Sequence, residues 1–121
     1  MKRTSIFSAA MIIIVMTLFP VHFASCQDKK NVEIKIKTSA VCGMCKDRIE
    51  QGLAYEKGVK DASLDIETKI ATVKYNPNKT NPDDIRKAIS KLGYDADTIS
   101  ADKTAYEKLP ACCKKDAAKH K

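Results

Sequence analysis

Four of the five cysteines in this chain form two close pairs, and these pairs are the residues best suited to chemistry. Cys42 and Cys45 make a Cys-x-x-Cys motif, and Cys112 and Cys113 are adjacent. A disulfide within either pair would close a very small loop and would remove little entropy from the unfolded chain. Thiolates bind soft metal ions, and they also attack disulfides. The motif therefore predicts either a metal site or a redox centre.

The Cys-x-x-Cys motif lies at the start of a predicted helix. Unpaired N–H groups and partial positive charge at a helix N-terminus favour thiolates, and Lys46 and Arg48 add positive charge nearby. Two thiolates without a neighbouring carboxylate suit a soft ion of low coordination number, which favours Cu(I), followed by Hg(II) or Cd(II). Zn(II) usually takes four ligands, and Cys112 and Cys113 are the candidates for the additional two.

Residues 1–26 are predicted to be a secretory signal. Two basic residues precede an uncharged apolar stretch at 6–19, which has the length of a signal core rather than of a bilayer span. Cys26 follows small residues, as at a bacterial lipoprotein cleavage site, and is the candidate for lipidation. Ordinary cleavage after Cys26 is the alternative. We therefore expect an exported protein, periplasmic or anchored by lipid to a membrane and facing the periplasm.

Removal of residues 1–25 takes away two basic residues and no acidic one, so the net charge of +7 becomes +5. About 96 residues remain, enough for one small domain, which excludes a large multidomain enzyme. Export makes nucleic acid an unexpected partner despite the basic charge. The remaining histidine, His120, lies next to the C-terminus, and no nucleophile–base pair is evident. We therefore predict that the protein is not an enzyme.

The elements that must position the cysteines alternate between strands and helices. Strands are indicated by period-two alternation of apolar residues, and helices by apolar residues at every third or fourth position. Asn81 is a predicted N-cap and Gly93 a predicted C-terminal stop for the second helix. In chain order we predict a strand at 32–37, a helix at 42–54, strands at 59–66 and 71–75, a helix at 82–92, a weaker strand at 94–100 and a short helix at 102–109.

This order predicts an α+β, ferredoxin-like βαββαβ fold. A four-stranded antiparallel sheet would carry two helices on one face, and a short helical tail would follow. The domain would span 32–100, preceded by a linker at 27–31 and followed by the tail at 101–121.

Several motifs within this order resemble the heavy-metal-associated domain family. That family includes copper chaperones, modules of metal-transporting ATPases and the periplasmic mercuric-ion-binding protein. The matching motifs are the Cys-x-x-Cys after an alternating strand, Arg48-Ile49-Glu50, Val73-x-Tyr75-x-Pro77 and Ile89-x-x-Leu92-Gly93-Tyr94. The resemblance implies that Cys42 and Cys45 are metal ligands and that Tyr94 packs close to the metal loop.

The loop before the motif departs from the family pattern. The Gly and Met that the family places there fall on Ser39 and Ala40. Because that Met anchors the loop in the core, we expect a more mobile loop when no metal is bound. Met44 occupies a variable position of the motif and is expected at the surface.

The tail cysteines permit three interpretations. A fourth strand would carry the chain about 20–23 Å away from the metal loop. Residues 101–111, part helical and part extended, would then just reach back. Cys112 and Cys113 could be an unattached dithiol at a frayed terminus. They could instead be additional ligands of the metal site, either in the same chain or in a second molecule. The third interpretation is that they take part in a disulfide. The apolar Leu109 and the stiff Pro110 ahead of them favour a docked tail.

The favoured function is binding of a soft metal ion and its delivery or sequestration outside the cytoplasm. Its basic charge suits docking on an acidic partner, such as a related domain of a metal-transporting membrane protein. The alternative is an extracytoplasmic thiol–disulfide redox protein that uses the same cysteine pair. The chain has no Trp and lacks the Pro usual in such redox motifs, which counts against this alternative. A purely structural or sensory domain is a third hypothesis.

Overall fold

The computed structural model describes residues 31–115. Within this range three strands, three helices and one 3-10 turn follow each other along the chain. They are β1 (Val32–Lys37), α1 (Gly43–Ala54), β2 (Val59–Asp65), β3 (Ile70–Tyr75), α2 (Pro82–Lys91), α3 (Lys103–Glu107) and the 3-10 turn (Ala111–Cys113). The strands and the first two helices lie within a residue or two of the ranges predicted from the sequence.

The three strands form one antiparallel sheet in the order β1-β3-β2. Central β3 pairs with both neighbours, so that Ala71 lies opposite Ile36 on one side and Leu64 on the other. These three side chains are buried. They belong to one hydrophobic core that also includes Ile49 of α1 and Ile89 of α2.

Helix α2 begins and ends where its sequence predicts. The Asn81 side chain accepts a hydrogen bond from the Asp84 backbone N–H at 2.9 Å, which satisfies one free donor of the first turn. Gly93, just past the end, has a φ of +96°, a conformation that favours glycine. The N-cap and the C-terminal glycine are therefore confirmed.

Helix α1 packs against β2 and α2. Gly52 lies inside α1, which continues to Ala54. A Cβ at Gly52 would lie 2.4 Å from Leu92 Cδ1, so the missing side chain lets the two helices approach closely.

The predicted fourth strand at 94–100 is wrong for the residues that the structure describes. Only isolated bridges form there, one between Thr38 and Ala96 and one between Ala96 and Ile99. The cause is a tight turn centred on Asp97, whose φ is +52°. Lys37 N–H donates to Asp97 Oδ1 at 2.8 Å, and Arg86 Nε donates to Asp97 Oδ2 at 2.8 Å. These two bonds stabilise a turn where the alternating pattern predicted an extended chain.

The turn changes the path of the tail. The Asp97 N–H donates to the Lys37 carbonyl, and the Asp95 N–H donates to Ser39 Oγ. The chain therefore remains beside the end of β1, next to the Cys-x-x-Cys loop, and does not run a strand length away. The long return expected from a four-stranded sheet is unnecessary. Within residues 31–115, no helix has the length and apolar character needed to cross a membrane.

Candidate metal centre

Cys42 and Cys45 lie at the first turn of α1, as predicted. Cys42 is the N-cap residue, and its carbonyl accepts the backbone N–H of Cys45 at 3.0 Å and of Lys46 at 3.2 Å. The first turn of the helix brings both sulfurs to the same side, where the two Sγ atoms are 3.2 Å apart. Cys45 is fully buried, whereas Cys42 is half-buried.

The two thiols differ in acidity. Burial opposes ionisation of Cys45, but the backbone N–H of Val41 and the neighbouring thiols outweigh it and lower the pKa of Cys45. Burial and then the Cys45 thiol raise the pKa of Cys42. Of the two thiols, Cys45 is therefore the one that ionises more readily.

The tail brings its two cysteines to the same place. Cys113 Sγ lies 3.9 Å from Cys42 Sγ and 4.0 Å from Cys112 Sγ. The three sulfurs all lie within 4.8 Å of one another. Cys113 is buried, whereas Cys112 is exposed and its Sγ lies 3.9 Å from Met44 Sδ. The structure thus favours a docked tail over an unattached dithiol, and all four cysteines of residues 31–115 are free thiols.

Tyr94 lies against the inner side of this cluster. Its hydroxyl is buried and has no hydrogen-bond partner among the described residues. Burial first, and then the Cys113 and Cys45 thiols, raise the pKa of Tyr94, so it remains a neutral donor. Burial and the Cys45 thiol raise the pKa of Cys113 to about 12. The placement of Tyr94 agrees with the position expected from the family resemblance.

Hydrogen bonds hold the loop before the Cys-x-x-Cys motif. They occur around Ser39 and Ala40, the positions where the family pattern has Gly and an anchoring Met. Ser39 Oγ accepts the Asp95 backbone N–H at 2.9 Å. Thr38 Oγ1 donates to the Lys69 carbonyl at 3.0 Å and accepts the Ala40 N–H at 3.3 Å. Ala40 itself is fully buried. Hydrogen bonds therefore fix the loop at the positions that depart from the family pattern.

An ion pair and an aromatic contact fasten the end of the tail. Lys115 Nζ lies 2.5 Å from Asp95 Oδ2, and the Lys115 backbone N–H donates to the Tyr106 hydroxyl at 3.0 Å. The Lys115 ammonium also lies 5.9 Å from the centre of the Tyr106 ring. Although burial opposes it, the Lys115 ammonium lowers the pKa of Asp95. Leu109 is buried in the core, so the tail has an apolar anchor as well.

The sequence identified the four cysteines as candidates, but it did not predict all of the contacts that hold them together. It missed the contact between Met44 and Cys112 and the fastening of Lys115 to Asp95 and Tyr106. Neither contact carries a local sequence signal, because each joins residues from distant parts of the chain. The apolar Leu109 and the stiff Pro110 were the available signs of docking. Cys26, the predicted lipidation site, lies outside the described residues, as does His120.

Comparisons with known proteins agree on a family. The heavy-metal-associated domain family matches residues 31–95. A copper-exporting P-type ATPase of Staphylococcus epidermidis is 35% identical over 92 residues, which are 76% of this chain and 11% of that protein. The chain thus spans about a tenth of the length of that relative.

Solved structures show the same domain. The N-terminal domain of a potential copper-translocating P-type ATPase from Bacillus subtilis, solved in the Cu(I)-loaded state, is 29% identical. Its TM-score is 0.53, and the match covers 56% of this chain and 86% of that one. The CopZ metallochaperone is 27% identical with a TM-score of 0.52, over 54% of this chain and 98% of that one. The family match covers more than half of the chain, and this protein belongs to the heavy-metal-associated domain family.

Proposed function

We propose that this protein binds a soft metal ion, Cu(I) in the first place, at Cys42 and Cys45, and delivers or sequesters it outside the cytoplasm. The observation that carries this proposal is that the N-cap and first turn of α1 bring both sulfurs to the same side of the helix, where a modest opening of the loop lets one ion contact both. Cys42 is accessible to an incoming ion, and the lowered pKa of Cys45 favours a thiolate. Binding displaces the protons of the two thiols, as metal binding to thiols requires.

Cu(I) is favoured by the donor set and by the relatives. The cluster offers only sulfur atoms, which select soft ions. The Staphylococcus epidermidis relative is named as a copper exporter, and the Bacillus subtilis domain was solved with Cu(I). Hg(II), Cd(II) and Zn(II) remain candidate ions for the same thiols. No catalytic role is proposed, since the ATPase relative matches this chain over only 11% of its length.

Export and partner choice are part of the same proposal. A signal at residues 1–26, with Cys26 as the site of lipidation, would hold the domain on the periplasmic side of a membrane. Without residues 1–25 the net charge is +5, which favours an acidic docking surface. A related domain of a metal-transporting membrane protein would supply both that surface and a second pair of thiolates to receive the ion.

A redox function for the same pair is the second candidate. The directions in which the pKa values of Cys42 and Cys45 are shifted argue against it. A thiol that attacks disulfides must be an accessible thiolate. Here the accessible Cys42 has a raised pKa, while the thiolate is favoured on the fully buried Cys45. Disulfide reduction at the rate of a dedicated oxidoreductase would restore the redox interpretation.

Anaerobic native mass spectrometry of the reduced protein with Cu(I), Zn(II) and Hg(II) tests the proposal. We expect one Cu(I) per chain, and loss of this complex in the double variant Cys42→Ser/Cys45→Ser. Ser63→Ala, on β2 and remote from the cluster, serves as the matched control. Absence of Cu(I) binding in the unaltered protein, or unchanged affinity in the double variant, would refute the proposal.

A further inference from the structure

The sulfur cluster has two parts with different spacing. Two thiolates that bind one ion in a line with bonds of about 2.3 Å have sulfurs about 4.6 Å apart. Three thiolates around one ion in a plane have sulfurs about 4.0 Å apart for the same bond length. The Cys42–Cys45 separation of 3.2 Å is too short for either arrangement. The loop would have to open for the pair alone to bind an ion.

The tail cysteines already have the wider spacing. Cys42 and Cys113 are 3.9 Å apart, and Cys113 and Cys112 are 4.0 Å apart. The third side of the triangle, from Cys42 to Cys112, is no longer than 4.8 Å. Three sulfurs thus stand close to the separations of a three-thiolate site, with little movement needed on binding.

The tail is held in this position by contacts that do not involve the cysteines. Leu109 is buried in the core, and the Lys115 ammonium pairs with Asp95. Cys113 is buried beside the unpartnered hydroxyl of Tyr94. A buried hydroxyl without a partner is costly, and an anionic sulfur beside it would accept its hydrogen bond. The Tyr94 hydroxyl could therefore donate to Cys113 or Cys45 once that sulfur is bound to an ion as a thiolate.

We propose that Cys42, Cys112 and Cys113 form a three-thiolate metal site which shares Cys42 with the Cys42–Cys45 pair. This inference rests on the proposed function, because Cys42 serves both sets. The two sets hold one ion between them. The three-thiolate site keeps the ion at rest, and the pair holds it when the tail is displaced. The exposed Cys112, with Met44 beside it, is the point of entry.

The position of the tail would decide between sequestration, when it is docked, and delivery, when it is displaced. A docked tail adds two thiolates beside Cys42, so the ion is retained until a partner displaces the tail. Because Cys42 belongs to both sets, the ion passes from one to the other by exchange of single thiolates and is never released to solvent.

X-ray absorption spectroscopy of the Cu(I)-loaded full chain counts the sulfurs bound to copper. We expect three sulfurs in the unaltered protein and in Cys45→Ser, and two in Cys112→Ser/Cys113→Ser. Cu(I) affinity, measured by competition with a chromophoric chelator, should fall by at least about tenfold in the tail variant. Cys112→Ser alone changes an exposed residue and keeps the folded tail, so its expected loss of affinity does not depend on folding.

The outcomes separate this inference from the proposed function. Two sulfurs in the unaltered protein, with unchanged affinity in Cys112→Ser and in the tail variant, would refute the three-thiolate site and leave the pair as the binding site. Two sulfurs in Cys45→Ser would also refute it, because Cys45 would then be one of the three ligands. No Cu(I) bound to the unaltered protein would refute the proposed function itself.

Discussion

We expect the energetic effect of the Tyr94 hydroxyl to depend on whether metal is bound. Without metal, the hydroxyl is buried and lacks a hydrogen-bond partner among residues 31–115. The adjacent thiols become anionic when they bind an ion, and an anionic sulfur accepts a hydrogen bond. The same hydroxyl is therefore unfavourable in the empty protein and favourable in the loaded one.

Replacement of Tyr94 by Phe should have opposite effects on the two states. We expect Tyr94→Phe to leave the empty protein equally stable or to stabilise it by up to about 1–3 kcal/mol, the typical cost of an unsatisfied buried polar group. Cu(I) affinity should fall, because the hydrogen bond to the thiolate is lost. Thermal unfolding and chelator competition measure the two effects. Tyr55→Phe, at a side chain that is 92% exposed, is the control. A loss of stability in the empty protein would contradict this role.

At the scale of elements, Gly93 connects the metal domain to its tail. Its φ is +96°, and a Cβ there would lie 3.0 Å from the backbone carbonyl carbon of Ala105 in α3. Backbone atoms cannot rotate away as a side chain can. Gly93 therefore ends α2 and also allows α3 to pack closely behind it.

Substitution of Gly93 by Ala should loosen α3. We expect Gly93→Ala to lower the free energy of unfolding by about 1–3 kcal/mol, from the unfavourable φ and the crowding of Ala105. Since α3 leads to Cys112 and Cys113, Cu(I) affinity should fall as well. For the stability measurement Gly43→Ala is the matched control, because a Cβ at Gly43 would meet nothing within 4 Å. Equal stability of the two variants by chemical denaturation would argue against this role for Gly93.

The turn at Asp97 should make stability depend on pH in the acid range. Burial opposes its ionisation, but the Arg86 guanidinium and the Lys37 N–H outweigh it and lower the pKa of Asp97. A carboxyl with a lowered folded-state pKa stabilises the fold above its ordinary pKa of about 3.9 and loses that contribution as pH falls through the folded value.

We therefore expect Asp97→Asn to be less stable than the unaltered protein at pH 7, with a difference that shrinks toward pH 3. Asn tolerates the positive φ and keeps an acceptor for Lys37, so the change isolates the charge. Thermal unfolding between pH 3 and pH 7 measures the trend. Asp47→Asn, at an exposed position of α1, controls for the loss of one negative charge. A difference that is constant with pH would exclude the ion pair as its source.

The sequence predicted those elements whose patterns are local. Alternation specifies β1, and the caps at Asn81 and Gly93 specify α2. The turn at Asp97 was not predictable in this way, because Lys37 and Arg86 stabilise it from elsewhere in the chain. The same limit applies to the site: the Cys-x-x-Cys spacing indicated the pair, whereas the position of Cys113 depends on how Leu109 and Lys115 pack against distant residues.

At the scale of the whole molecule, the domain and its tail share one core and, in our proposal, one metal site. Leu109 is only 6% exposed and belongs to the same core cluster as Ile36 and Ile89. Docking of the tail positions Cys112 and Cys113, and an ion bound to them holds the tail in return. Folding of the tail and metal binding are therefore linked: each should strengthen the other.

A double-variant cycle tests this linkage, because it removes the anchor and the thiols separately. Truncation of a buried Leu to Ala costs about 2–5 kcal/mol in a typical core, enough to release a short tail. We expect Leu109→Ala to reduce Cu(I) affinity to the value of Cys112→Ser/Cys113→Ser, although Leu109 carries no ligand atom. Combining the three substitutions should then cause no further loss, because a released tail no longer presents its thiols. Lys108→Ala, at an exposed neighbour, is the control. Additive losses in the combined variant would mean that Leu109 acts on the metal site by a route other than tail docking.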